Sequence, residues 1–189
     1  MLGTASLRRE AQALALRPDL KVVPFRGRVE TRIEKLKKGE ADATFLAMAG
    51  LDRLGLSHHA TPVPISDLLP AAGQGIITVA ARPDRLSPAL SQALDAINDA
   101  ATRAMATAER AFLAELDGSC RTAMAAQLTT RDGNWHLIGE VLAPDGQSKW
   151  SARASALLSA SMEDLAALGV ELGKNIRAQA GGDLPVFED

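Results

Sequence analysis

The sequence predicts an α/β fold: part of a doubly wound, mostly parallel sheet, followed by an α+β domain of about three antiparallel strands with helices on one face. Two observations support this class. The first ninety-odd residues alternate short apolar runs with segments of helical periodicity, which is typical of parallel α/β units. Beyond residue 120, three strand-like segments separated by turn signals precede one long helical segment.

Local periodicity predicts the elements of the first part. Leu7, Ala11 and Leu14 form one apolar stripe, so we expect a helix that begins after Ser6 and ends before Pro18. The same criteria predict a strand at 21–25, a helix from 29 to about 39, a strand at 43–49, a short helix at 51–54, a strand at 76–81 and a helix at 87–97.

The pattern changes in the second part. A helix is predicted at 99–115, and turn signals at 132–134 and 144–146 separate the strand-like segments that follow. We expect strands at 123–129, 135–142 and 148–154, and a long helix at 157–178.

Charge is unevenly distributed along the chain. The net charge is −2, but residues 1–38 hold ten Lys or Arg and four acids, whereas the remainder holds eleven and nineteen. A basic segment on an acidic body favours a local anion site, since binding to a phosphate backbone usually requires a strongly basic domain. The pI of about 5.9 and the aromatic content of 3%, too low for base-stacking platforms, likewise predict no nucleic-acid partner.

The single cysteine, Cys120, excludes an internal disulfide and a multi-cysteine zinc site, and a reducing, cytoplasmic compartment fits it best. The longest apolar runs, such as residues 75–81, fall short of the roughly 18 residues needed to span a bilayer, so we expect no membrane partner. The three histidines, His58, His59 and His136, lack the neighbouring ligands of a metal site, so no metal is predicted.

Arginines cluster at the starts of the first two predicted helices. Residues 3–9, with the sequence GTASLRR, place small and hydroxyl residues where free helix N–H groups favour an anion. Arg8 and Arg9 in that first turn oppose the helix dipole, at a cost of up to roughly 1 kcal/mol each unless an anion lies beside them. The alternative is a solvated turn in which Thr4 or Ser6 caps the helix.

The same arrangement recurs at the second helix, where Arg26, Gly27 and Arg28 precede the start and Arg32 lies one turn beyond Arg28. In a parallel sheet both helix starts lie at the carboxyl ends of the strands, where open α/β folds bind ligands, and Arg53 is delivered to the same edge. Because arginine forks bind carboxylates bidentately, the set predicts a site for an organic ligand with several carboxylates. Individually, Arg28 and Arg53 are equally consistent with surface charges.

Cys120 lies in a glycine-containing turn between a predicted helix and a predicted strand. A lone cysteine is usually a small buried hydrophobe, and the residues alone favour that interpretation. The loop position and the adjacent Arg121, which favours a thiolate, leave open a reactive or modified thiol.

Five motifs occur in the order found in porphobilinogen deaminases, also called hydroxymethylbilane synthases, and the sequence resembles that family over essentially its whole length. The motifs are GTASLRR at 3–9, FRGRVETR at 25–32, AMAGLDRLG at 47–55, PAAGQG at 70–75 and GSC at 118–120.

The resemblance implies a transferase that joins four porphobilinogen units head to tail, releasing ammonia at each step, to give hydroxymethylbilane for haem-type tetrapyrrole biosynthesis. It implies a dipyrromethane cofactor, a primer made from substrate, linked by thioether to Cys120. Every pyrrole carries acetate and propionate groups, and the positions that match the family's cofactor and carboxylate ligands are Thr4, Ser6, Arg8, Arg9, Arg26, Gly27, Arg32 and Arg53.

The sequence departs from the family pattern in two ways. Arg28 stands where many members have asparagine, so the resemblance transfers no role to it. The family fold has three domains, and the first carries the aspartate that protonates the leaving amine; no segment here matches it, so no catalytic residue is assigned. Only Met1 and Leu2 precede the glycine turn. We therefore expect the chain to begin in mid-fold and to have little or no activity by itself.

On this basis we expect three units. Residues 1–73 form a partial second domain that binds carboxylates of cofactor and substrate, and residues 74–97 form a crossover segment of the otherwise missing first domain. Residues 98–189 form a C-terminal α+β domain that carries the cofactor cysteine. Full-length family members are typically monomeric, whereas the open strand edge of a partial sheet predicts self-association of this chain.

The predicted doubly wound sheet is also of the periplasmic-binding-protein type, and this supports a rival hypothesis. A non-catalytic module of that type uses similar α/β halves to clasp small anions. It accounts for Arg8, Arg9 and Arg32, and it leaves Cys120 and the α+β domain unexplained.

Overall fold

The computed structural model describes residues 1–117, 123–181 and 184, and within these it contains two three-stranded sheets. The strands are β1 (Leu2–Gly3), β2 (Val22–Val23), β3 (Ala43–Thr44), β4 (Met124–Arg131), β5 (Asn134–Leu142) and β6 (Lys149–Leu157). The α-helices are α1 (Leu7–Leu16), α2 (Val29–Lys37), α3 (Met48–Arg53), α4 (Pro88–Ile97), α5 (Ala100–Glu115) and α6 (Met162–Ala180). No helix in these described ranges is both long enough and apolar enough to cross a membrane.

The first sheet is parallel, with strand order β2-β1-β3, as the alternation of strands and helices predicts. Its strands are only two residues long, and the strand predicted at 21–25 is reduced to Val22–Val23. Helix α1 follows its local signals: the Ser6 side chain caps its N-terminus, and it ends at Leu16, before Pro18. Each strand is followed by a helix after a connection of only three to five residues, so the helix N-termini follow the carboxyl ends of the strands.

The second sheet is antiparallel, with order β4-β5-β6, and α5 and α6 cover one of its faces. The fully buried side chains of Phe112, Leu137 and Ile176 lie between these layers. Gly139 on β5 allows this packing, because a Cβ there would lie 2.8 Å from the ring of Phe112. This arrangement confirms the predicted antiparallel sheet of three strands.

The other face of the second sheet meets α1. The turn between β5 and β6 places Gly146 against the helix backbone, where an added Cβ would lie 2.5 Å from Ala15 N and 2.6 Å from Ala11 O. Gly146 has φ +72°, which also favours glycine. Helix α1, which follows β1 and carries Arg8 and Arg9, is therefore packed against the second sheet.

Two of the predicted strands were wrong. The run at 43–49 is a strand only to Thr44, and Met48 already begins α3, since an apolar run of Ala, Met and Leu suits a helix as well as a strand. Residues 76–81 form no strand in the described chain, and Ile77 is 86% exposed. A strand exists only where a neighbour takes its hydrogen bonds, which periodicity does not report.

The last helix starts later than predicted. Residue Leu157 ends β6, and α6 begins at Met162 behind a capping box in which Ser161 and Asp164 bond reciprocally. The helices predicted at 87–97 and 99–115 are confirmed, with Ser87 and Asp99 as their N-caps.

Candidate functional site

The loops that follow β1 and β2 run side by side at the carboxyl edge of the parallel sheet. Phe25 N donates to Thr4 O at 3.2 Å, and Gly3 gives Phe25 room, since a Cβ there would lie 2.5 Å from the ring. Thr4 is buried, and its Oγ1 accepts from Ser6 N at 3.1 Å, while Ser6 Oγ accepts from Arg9 N at 3.4 Å. Both hydroxyls therefore help to form the α1 start, as the capping interpretation predicts.

Arg8 is buried, with 8% of its surface exposed, although it carries a positive charge in the first turn of a helix. Its Nη1 donates to Leu69 O at 2.6 Å, and its Nη2 donates to Gln74 Oε1 at 3.3 Å. The pKa of Arg8 is lowered to about 10, chiefly by burial and then by the charge of Arg9, while the charge of Glu140 opposes the shift. The folded chain thus holds a cation that an anion beside it would stabilise.

Arg9 and Arg32 come from different helices and approach one another. Arg9 Nη1 donates to Phe45 O at 3.2 Å, just beyond β3, and Arg32 Nε donates to Gly27 O at 2.9 Å. The pKa of Arg9 is lowered by burial and then by the charge of Arg32. The structure therefore brings together α1, α2 and the end of β3, as the predicted carboxyl-edge site requires.

The other candidate residues that the structure describes lie immediately before α2 and in the last turn of α3. Arg26 and Arg53 are exposed, and neither side chain makes a hydrogen bond or ion pair within the described residues. Gly27 has φ +134°, which turns the chain into α2 and presents its carbonyl to Arg32. Arg28 is the N-cap residue of α2 and its side chain does not cap the helix. Cys120 lies outside the described residues.

The arginines at this edge form no ion pair with an acid among the described residues. Among residues 1–117 and 123–181, no carboxylate oxygen lies within 4.0 Å of a guanidinium nitrogen of any of the predicted arginine ligands: Arg8, Arg9, Arg26, Arg32 and Arg53. In contrast, Arg17 at the other end of α1 pairs with Asp19 at 2.7 Å. Carboxylates bind in such a place through charge-assisted hydrogen bonds.

Sequence reasoning missed three polar residues that support Arg8. Gln12 is buried one turn beyond Arg8, and its side chain forms two hydrogen bonds with the backbone of Leu69. Gln12 Nε2 donates to Leu69 O at 3.1 Å, and Leu69 N donates to Gln12 Oε1 at 2.7 Å. Gln74 contacts Arg8 directly, and Glu109 binds the N–H of Gly73. The polar Gln12 within the apolar face of α1 was a usable signal, whereas the other two act across distances that spacing does not reveal.

Comparison with known proteins identifies the family. A family model described as "Porphobilinogen deaminase, dipyromethane cofactor binding domain" matches residues 1–88, and a second, "Porphobilinogen deaminase, C-terminal domain", matches residues 104–178. The chain belongs to the porphobilinogen deaminase family. We call the sheet edge that carries Arg8, Arg9 and Arg32 the arginine edge. It lies entirely within the part that matches the first model.

Relatives support this membership over almost the whole chain. A porphobilinogen deaminase from Nitrobacter hamburgensis is 46% identical over 183 residues, which cover 96% of this chain and 56% of the relative. The enzyme of that name from Paracoccus denitrificans is 46% identical over 184 residues, covering 97% and 57%. A chloroplastic porphobilinogen deaminase from Oryza sativa is 39% identical over 183 residues, covering 96% and 50%. The chain thus spans little more than half the length of these relatives.

Proposed function

We propose that this chain holds the dipyrromethane cofactor and the carboxylates of the growing pyrrole chain in a porphobilinogen deaminase reaction, the joining of porphobilinogen units with release of ammonia. The observation that carries this proposal is the convergence of Arg8, Arg9 and Arg32 at one sheet edge. Their charges repel one another there, and none of the three forms an ion pair with a carboxylate among the described residues.

The donor set suits the cofactor. Dipyrromethane bears acetate and propionate groups on both rings, and each carboxylate accepts two parallel N–H bonds from a guanidinium. Arg8 uses two of its five N–H groups within the described chain, which leaves donors for a ligand. When bound, the cofactor supplies the primer to which porphobilinogen units are joined.

The residues of this edge have separable roles in the proposal. Arg8, fixed by Leu69 and Gln74, supplies an oriented donor fork, and the neighbouring Arg9 and Arg32 add positive charge. Thr4 and Ser6 form the helix start from which the α1 N–H groups face the ligand. Gly27 shapes the turn that leads into α2. The exposed side chains of Arg26 and Arg53 are proposed to bind carboxylates of the growing chain.

We place the covalent attachment at Cys120, through a thioether, by its match to the family's motif. We also propose that the parallel sheet is part of a doubly wound, periplasmic-binding-protein-like domain at 1–73. Residues 74–97 would then form a crossover, and residues 98–189 the domain that carries the cysteine. Because the sequence offers no match to the family's catalytic aspartate, binding is the activity to assay in this chain by itself.

Titration calorimetry with porphobilinogen tests the proposal. We expect binding that weakens at least tenfold in Arg8→Ala and in Arg32→Ala, because each removes charged hydrogen bonds. Arg17→Ala is the matched control, since it removes the same charge from the far end of α1, and it should bind as the parent does. Equal affinities in all four proteins would refute the assignment.

Intact mass tests the attachment separately. In protein purified from cells that make porphobilinogen, we expect an adduct of two pyrrole units that is absent from Cys120→Ser. An adduct that persists in Cys120→Ser would place the attachment at another residue.

A further inference from the structure

The loop formed by residues 69–74 joins the arginine edge to the C-terminal domain. At one end of this 69–74 loop, Leu69 O accepts from Arg8, and at the other, Gln74 Oε1 accepts from Arg8. The loop therefore holds a single guanidinium from two sides. Whatever fixes the loop also fixes the direction of the Arg8 fork.

The C-terminal domain fixes this loop through its backbone. Pro70 O accepts from Ala126 N of β4 at 3.2 Å, and Ala72 packs against the core between the sheet and α5. Gly73 N donates to Glu109 Oε2 at 2.6 Å, which is the shortest of these bonds. Gly73 has φ +71°, so its place in the loop favours glycine.

Glu109 is a buried carboxylate on α5, with 5% of its surface exposed, and no cation pairs with it among the described residues. Its two oxygens are each used once, by Gly73 N at 2.6 Å and by Leu128 N of β4 at 2.8 Å. Burying an unpaired carboxylate is costly, so a purely structural bridge between two N–H groups would be made more cheaply by a neutral side chain. A charged acceptor holds each N–H more strongly than a neutral one.

We propose that Glu109 is a positioning residue, which fixes the 69–74 loop so that Leu69 and Gln74 aim the Arg8 guanidinium at the carboxylate edge. The inference rests on the proposed function only in taking Arg8 as a carboxylate ligand. The route from Glu109 to Arg8 is a continuous series of contacts through Gly73 and Gln74.

Glu109→Gln is the decisive variant, because its side chain has the same shape but only one acceptor oxygen. The Leu128 N–H is buried whereas the Gly73 contact is only partly buried, so the remaining oxygen should stay with Leu128 and release Gly73. Glu163→Gln, an exposed glutamate in the first turn of α6, is the matched control for the same chemical change.

The first measurement needs no ligand: hydrogen exchange by NMR of the Gly73 amide and of the Arg8 guanidinium protons. In Glu109→Gln both should exchange about tenfold faster, and in Glu163→Gln neither should change. Gln74→Ala also removes the bond from Ala71 N to Gln74 Oε1 at 3.2 Å within the loop, so it should accelerate exchange of the Arg8 protons more than exchange of the Gly73 amide, which remains bonded to Glu109. Unchanged Arg8 exchange in folded Glu109→Gln would overturn the proposal.

Coupling between sites is reciprocal, and this provides a test that leaves Glu109 in place. Arg8→Ala removes the other anchor of the loop, so the Gly73 amide should exchange faster there too. If Glu109→Gln fails to fold, this variant decides: unchanged Gly73 exchange would overturn the proposal.

The second measurement is porphobilinogen binding by calorimetry. Glu109→Gln and Gln74→Ala should each weaken binding about tenfold, and the double variant should bind no more weakly than either, because both act through Arg8. Additive losses would indicate general destabilisation and overturn the proposal. If the parent chain does not bind porphobilinogen, the proposed function fails, and the exchange measurement still judges the positioning role.

Discussion

Replacing Gly146 with alanine should loosen the contact between the β5–β6 turn and helix α1. Two costs combine at this position. The residue has φ +72°, a left-handed conformation that costs an alanine roughly 1–2 kcal/mol. The new methyl group would also lie 2.5 Å from Ala15 N and 2.6 Å from Ala11 O, and helix backbone cannot move aside as a side chain can. Overpacking of this kind typically costs about 1–3 kcal/mol more.

Gly133→Ala separates the two costs. Gly133 has φ +73°, almost the same as Gly146, but nothing lies within 4 Å of an added Cβ. We expect a loss of roughly 1–2 kcal/mol for Gly133→Ala and a further loss of about 1–3 kcal/mol for Gly146→Ala. Urea unfolding followed by the fluorescence of Trp135 and Trp150 measures both, with the slope checked for two-state behaviour.

The same pair of variants reports on the site. Because α1 carries Arg8 and Arg9, displacing the turn should weaken porphobilinogen binding in Gly146→Ala and leave it unchanged in Gly133→Ala. Equal loss of stability in the two variants would refute the packing argument. A destabilised Gly146→Ala that binds porphobilinogen as tightly as the parent chain would show that the β5–β6 turn does not hold α1 in place.

Three further predictions concern the buried Glu109, the repulsion between Arg9 and Arg32, and the capping box of α6. Burial raises the pKa of Glu109 above its ordinary 4.5, so above pH 4.5 the unfolded chain releases a proton that the folded chain retains, and stability falls as pH rises. In urea titrations from pH 4 to 8, the free energy of unfolding of the parent should therefore decline relative to Glu109→Gln, and a constant difference would contradict this. Repulsion between Arg9 and Arg32 should make the ligand-free chain gain stability with added salt, and thermal unfolding of Arg32→Ala should show a smaller gain. Ser161→Ala removes a capping box and should cost about 1 kcal/mol in urea unfolding, whereas exposed Ser159→Ala should cost little.

Elements bounded by local signals were predictable from the sequence. Ser6 and Pro18 delimit α1, and Ser87 and Asp99 start α4 and α5, because a cap or a proline acts within one turn of its own position. The arginine edge was predictable for a related reason. Parallel strands bring helix starts together at one edge, so residues at the starts of α1 and α2 must be neighbours.

What the sequence did not predict depends on contacts between distant residues. Whether residues 76–81 form a strand depends on the presence of a partner strand, which their own apolar run does not reveal. The roles of Gly146 and Glu109 arise where the C-terminal domain packs against α1 and the 69–74 loop. Sequence neighbours indicate neither packing role, and both roles are defined by close contacts with residues distant in the chain.

Glu140 partly offsets the cost of burying the Arg8 cation without pairing with it directly. The glutamate lies on β5, is 4% exposed, and its Oε2 lies 2.5 Å from Lys149 Nζ, while its Oε1 has no hydrogen-bond partner among the described residues. Its charge opposes the lowering of the Arg8 pKa without a direct ion pair. A direct pair would stabilise Arg8 more but would occupy the N–H groups that a carboxylate needs. Compensation at a distance lowers the cost of burying the cation and leaves its donors free, which is the combination that a carboxylate-binding edge requires.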